Sequence, residues 1–174
     1  VKAGVYLIAR IYISNASLSE SEAFIIGIIT ISTMIVSVIL YYFQDDLKKL
    51  LAYSTIGHLG YILFGVSVGI YGSKTGGMGG IFHIINHGFA KGLLFLSVGG
   101  IAYATGSKSI KELQGVSKRF PLFTACFLIG MFAIVGIPPF SGFWSKFMIF
   151  TGAFELKNWI TNLFGLIAIF ESIL

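Results

Sequence analysis

"FHIINHGFAKGLLFL", Phe82 to Leu96, decides how the chain is read. The stretch is apolar enough to prefer oil to water, yet it holds His83, His87 and Lys91 four residues apart. That spacing aligns the three side chains on one face of a helix. An ionisable group at membrane depth costs several kcal/mol, so such residues face a partner, a polar helix or water and mark functional sites.

The surrounding sequence supplies the membrane. Of the 174 residues, 56% are hydrophobic and only 11% charged, against roughly 25% charged in ordinary globular domains; mean hydropathy is +0.89. Apolar runs of about twenty residues, the length that spans a hydrocarbon core, recur at 23–43, 50–71 and 81–103. The 22 glycines suit helices that approach closely. Net charge is +5, but the basic residues gather between the spans, with no phosphate-cradling loop and no basic–aromatic repeat. That pattern writes topology and excludes nucleic acid as a partner. A single cysteine, Cys126, rules out an internal disulfide and reads as a small apolar residue.

The fold expected is an all-α integral membrane bundle of about five transmembrane helices, one of them broken. Residues 1–14 ("VKAGVYLIARIYIS") read as the tail of a truncated helix, and 23–174 as the bundle, its last helix also truncated. Between them "SNASLSESE" is a polar loop, with Ser19 and Glu22 spaced as a capping signature. "GSKTGGMGG" (72–80) reads as a glycine-rich loop, and "SIKELQGV" (109–116) as a short amphipathic helix at the interface. From Pro121 to Phe154 the apolar segment would reach ~50 Å as one helix, too long for a single span. Pro138 and Pro139 in "VGIPPFSGFWSK" remove backbone donors and divide it into two half-helices around an unwound stretch. Lys48, Lys49, Lys108, Lys111, Lys118 and Arg119 fall on one side of the membrane, and Arg10, Lys74 and Lys157 on the other. The positive-inside bias assigns the first set to the cytoplasm.

His83, His87 and Lys91 read as a proton relay, and Lys146, just after the proline break, as a group able to exchange a proton with it. For Lys146 a place near the membrane surface is the competing reading. Lys48, beside Asp45 and Asp46 at a span entrance, reads equally as a topology signal and as a functional lysine. His58 reads equally as an interhelical hydrogen bond and as a carrier. The spacing in "HIINH" also permits two ligands to one metal, but Ile84 stands where the zinc-hydrolase pattern requires Glu. No metal or other cofactor is expected.

Four ordered stretches, "VKAGVYLIAR", "DDLKKLLAYSTIGHLGYILFG", "IFHIINHGFAKGLLFLSVG" and "GIPPFSGFWSKFMIF", resemble signatures of the antiporter-like membrane subunits of respiratory complex I, membrane-bound hydrogenases and Mrp-type sodium/proton antiporters. The resemblance covers almost the whole chain. It implies two inverted five-helix repeats in a subunit of about fourteen helices, this chain matching the end of the first and most of the second. It further implies that Lys91 is a central-axis lysine with His83 and His87 beside it, and that Lys146 is the lysine of the broken helix. Lys48 then matches a lysine opening the preceding helix, and His58 a position held by His or Gln. The function implied is proton, or sodium/proton, translocation in an energy-transducing membrane. The implied partners are the lipid bilayer and other membrane subunits, including whatever supplies the first repeat, with any redox chemistry residing in those neighbours. Two other classes stay open: a non-conducting module that anchors partners, which predicts a dry interior and a fixed ion pair at Lys91, and a metal or haem enzyme built on His83 and His87.

Overall fold

A computed structural model describes residues 2–14 and 18–173, the side chain of residue 173 excepted; residues 15–17 of the polar loop lie outside the described residues. Among the described residues the chain forms eight helices: α1 (Lys2–Ser14), α2 (Glu20–Tyr42), α3 (Leu47–Ile70), α4 (Lys74–Thr105), α5 (Val116–Arg119), α6 (Pro121–Val135), α7 (Ser141–Glu155) and α8 (Trp159–Ile173). Helices α2, α3 and α4 are each long and apolar enough to cross a membrane. Half-helices α6 and α7 run in series on either side of the proline break, and α8 is a shorter apolar helix. The chain is a multi-pass membrane protein.

The helix starts carry the polar groups their exposed N–H donors require. The Ser19 N–H donates to the Glu22 carboxylate at 2.6 Å, as the capping signature anticipates. Asp46 accepts from the N–H groups of Lys48 (2.8 Å) and Lys49 (3.1 Å) to open α3. The Lys49 N–H is the strongest of the influences that hold the Asp46 carboxyl below its ordinary value. The Asp46 turn is also stitched to the polar connection after α4: Leu47 N donates to Lys108 O at 3.0 Å, Ile110 N to Asp45 O at 2.9 Å, and Lys111 pairs with Asp45 at 3.1 Å.

Two sequence expectations are corrected. The glycine-rich stretch 72–80 is not a loop: only Gly72 and Ser73 precede α4, whose 32 residues begin at Lys74. Glycine normally weakens a helix by about 1 kcal/mol per residue relative to alanine. In this stretch it allows backbones to touch: a Cβ on Gly65 would lie 2.5 Å from Gly80 Cα, and one on Gly152 would lie 2.4 Å from Gly76 N. In lipid, helices associate through such close packing, because the solvent offers no hydrophobic drive. The second correction concerns "SIKELQGV", which forms turns through Gly115; the helix that follows is the four-residue α5. Backbone bonds through Leu47 and Ile110 fix this connection in place of an amphipathic face.

Two apolar clusters form the core. Ile31, Met34, Tyr61, Phe64, Val68, Ile149, Ala153 and Ala168 join α2, α3, α7 and α8. Leu51, Ala90, Leu94, Val98 and Ile134 join α3, α4 and α6. Large apolar side chains such as Ile25, Phe89, Leu96 and Phe170 point outward, as a membrane-embedded bundle requires. The polar residues at mid-depth lie between the clusters.

Candidate functional site

Helix α4 carries His83, His87 and Lys91 inward, leaving them 1%, 1% and 5% exposed. Lys91 stands roughly 20 Å from the Thr105 end at ~1.5 Å rise per residue, close to the middle of the membrane. Its ammonium donates to the Leu51 carbonyl at 3.0 Å and to Ser54 Oγ, both on α3. No carboxylate touches it: among the described residues the one ion pair within 4.0 Å is Lys111–Asp45, at the protein surface. Lys91 is thus held by neutral oxygens.

The histidines form a directional chain. His58 Nδ1 lies 3.1 Å from His83 Nε2, and His83 Nδ1 lies 2.8 Å from Ser145 Oγ. The Ser145 hydroxyl donates its single proton to the Gly142 carbonyl at 3.0 Å, so it accepts from His83. For neutral imidazoles this assigns Nδ1–H to His83 and, one step back, Nδ1–H to His58. His58 Nε2 is then the basic end of the chain, on a ring that borders a cavity. His87 stacks beside His58 with centroids 5.3 Å apart, and among the described residues neither of its ring nitrogens has a hydrogen-bond partner. A buried, unpaired imidazole forfeits hydrogen-bond energy that packing alone would not sacrifice.

Lys146 reaches the same region from α7. The break that separates α6 from α7 places Gly136 in the left-handed region at φ 89°, and Pro138 and Pro139, three and four residues past Val135, have no N–H to give its carbonyl. The Lys146 ammonium donates to that carbonyl at 3.2 Å and to Ser172 Oγ at 2.9 Å, and it sits 4.7 Å from the centroid of the Tyr61 ring. Helix α4 supports the break through Asn86, whose Nδ2 donates to Ser141 O at 3.0 Å. Lys146 is 6% exposed, enclosed by the bundle. Pro138 and Pro139 lie in the unwound stretch, as their chemistry dictates.

A cavity of about 170 Å³ joins Lys91, Lys146 and His58 but is not lined by His83 or His87; Ser54, Glu171 and Ser172 also border it. It has room for several water molecules. Lys48 is not gathered in: it lies one turn before Leu51 at the α3 entrance, where its backbone N–H forms the cap to Asp46. Among the described residues no cluster of three or more His, Cys, Asp or Glu has the arrangement of a metal site.

The arrangement has relatives. The model of the family described as "NADH:quinone oxidoreductase/Mrp antiporter, TM" matches residues 1–172. This chain belongs to that family. It is 38% identical over 166 residues to a Na(+)/H(+) antiporter subunit of Bacillus subtilis (strain 168), covering 91% of this chain and 21% of that protein. Among solved structures, the membrane-bound sulfane sulfur reductase, an archaeal respiratory membrane complex, contains a chain that superposes with a TM-score of 0.85 at 31% identity, over 99% of this chain and 29% of the other. The Mrp complex of Dietzia sp. DQ12-45-1b gives a TM-score of 0.82 at 26% identity, over 99% and 32%. The chain spans about a fifth of the length of the curated relatives it matches. Antiporter-family subunits of this kind are found in multi-subunit membrane assemblies, as both solved complexes illustrate.

Four residues that touch these groups carry little signal in the sequence alone. Ser54 and Ser145 are ordinary helix residues in sequence, Tyr61 passes for core, and Glu171 stands in an apolar run. The signal available for Glu171 was its type: a carboxyl group amid "GLIAIFESI" is as costly as the lysines it faces.

Proposed function

We propose that this chain translocates protons, or exchanges sodium for protons, as part of a complex I-like or Mrp-type membrane assembly. The observation that carries the proposal is the continuity of buried ionisable groups across three helices and one cavity. Lys91, Lys146 and the His58 ring border the same space, and His58 leads to His83 and Ser145. A proton released by either lysine into the cavity can be taken at His58 Nε2. Passing the Nδ1 proton on to His83 Nε2 leaves His58 neutral in its other tautomer, and ring rotation or back-transfer resets it. Neutral oxygens around Lys91 favour this reading over the anchoring module, which calls for a fixed ion pair there. Lys48, at the α3 entrance, fits the role of a lysine at the mouth of the path. The remainder of the path, including a first repeat, comes from the rest of the subunit or from a neighbouring chain.

The test is Lys91→Ala in the assembled membrane complex, reconstituted in liposomes with a pH-sensitive dye. Ion transport should fall by about two orders of magnitude or more, the size of a lost acid–base group, while assembly is unchanged. Transport at the parental rate would refute the relay.

A further inference from the structure

Seven acidic residues are present, and six of them, Glu20, Glu22, Asp45, Asp46, Glu112 and Glu155, are absent from the lining of the central cavity. The seventh is Glu171, on α8. It borders the central cavity with Lys91 and Lys146, so two mid-membrane ammonium groups face a single carboxyl group from this chain.

The local packing is built around that carboxyl. The Tyr61 hydroxyl shares its single proton between the Ala168 carbonyl, at 2.7 Å, and Glu171 Oε2, while the face of the same ring carries the Lys146 ammonium at 4.7 Å. Ser172, the next residue of α8, accepts from Lys146 at 2.9 Å. On α3, Gly57 leaves the space the carboxylate occupies: a Cβ there would lie 3.1 Å from Glu171 Oε1 and 2.5 Å from Ser37 Oγ. The titratable groups facing Glu171 or its cavity are Tyr41 from α2, His58 and Tyr61 from α3, Lys91 from α4 and Lys146 from α7. The Glu171 carboxylate and the Lys146 ammonium border the same cavity without forming a direct ion pair within 4.0 Å.

We propose that Glu171 is a proton-exchanging partner of Lys146, bridged to it by the Tyr61 side chain and the cavity. This rests on the translocation reading and adds a residue to it. In the exchange, the Lys146 ammonium gives up one proton and becomes a neutral amine, while the Glu171 carboxylate takes that proton and becomes a carboxylic acid. No other bond changes, and the pair stays neutral overall. When the Lys146 proton passes to Glu171 the one carboxylate on the cavity is discharged and Lys91 is left uncompensated, which links the protonation of Lys146 to that of Lys91 across the shared space.

The experiment compares Glu171→Gln, Glu171→Asp, Lys146→Met and Lys91→Ala in the complete complex in liposomes, with dye-reported proton transport measured across pH. Glu171→Gln keeps an acceptor for Tyr61 but cannot titrate. Expected is a loss of about tenfold or more together with the disappearance of one limb of the pH profile, and in Glu171→Asp a displaced profile with transport retained. Transport within about twofold of parent and an unchanged profile in Glu171→Gln, alongside losses in the two lysine variants, would overturn the role of Glu171 and leave translocation standing. Parental transport in all the variants would remove both. Should Glu171→Gln fail to assemble, infrared titration of the unmutated and Lys146→Met complexes decides. A carboxyl band whose titration is displaced by Lys146→Met supports the pair, and identical titration in the two complexes overturns it.

Discussion

His87 presents the clearest residue-scale contradiction between packing and chemistry. It is 1% exposed, stacked on His58, and bonded through neither ring nitrogen among the described residues. A group kept only for stability would be better replaced by an apolar one, because exchanging an unpaired buried polar group for an apolar group of similar shape is neutral or stabilising. His87→Phe should therefore leave the thermal midpoint of the assembled complex unchanged or raised, within about 1 kcal/mol. Its transport should nonetheless fall clearly below parent. Thermal unfolding and dye-reported transport on the same preparation check the two halves, and a stability loss with full transport would show His87 to be structural. Ser145 acts differently, through the direction of its single proton, which sets the tautomers of both His83 and His58. The stripe of His83, His87 and Lys91 was legible from four-residue spacing in an apolar run. Ser145 and Ser54 were not, because their roles depend on which α3 and α7 positions come to face α4.

At the scale of the element, glycine governs how near α4 comes to its neighbours. Gly76 and Gly152 place the backbones of α4 and α7 in contact, and Gly65 and Gly80 do so for α3 and α4. Gly152→Val must push α7 away from α4, a strain of about 1–3 kcal/mol by analogy with overpacked cores. It should lower the thermal midpoint of the complex, and it should lengthen the reach between His83 on α4 and Ser145 on α7. Transport should fall with it, and an unchanged midpoint would show that α7 shifts freely. This contact explains why residues 72–80 read as a loop. Intrinsic propensity counts the glycines against a helix, whereas the compensating approach of α3 and α7 exists only once the bundle forms. The proline break, by contrast, was readable, since Pro138 and Pro139 act on their own backbone whatever surrounds them. The membrane spans were readable for a similar reason, as length and apolarity are local properties.

For the whole molecule, the turn after α2 and the connection after α4 meet at one end of the bundle, joined by backbone bonds from Leu47 and Ile110 and by Lys111–Asp45. The lysines of both segments therefore share one end of the bundle, and the positive-inside bias predicts that this end faces the cytoplasm. Single cysteines at Lys108 and at Lys74, with Cys126 replaced by Ala, should react with an impermeant thiol reagent from opposite faces, Lys108→Cys from the cytoplasm. Labelling of both from one face would overturn the topology. Glu171 was the part of the site least legible at this scale, because its partners come from α3 and α7, far away in the chain, and only their convergence gives an isolated carboxyl a purpose.

The mid-depth position of Lys91 and Lys146 has an electrical consequence. Moving one elementary charge across the whole membrane against a potential of about 100 mV involves ~2.3 kcal/mol. In the proposed translocation, a proton resting on either lysine has crossed roughly half of that field, so its arrival and its departure each take a share of about 1 kcal/mol. Both half-steps then respond to membrane voltage to a similar degree, and neither face of the membrane alone sets the driving force on the ion.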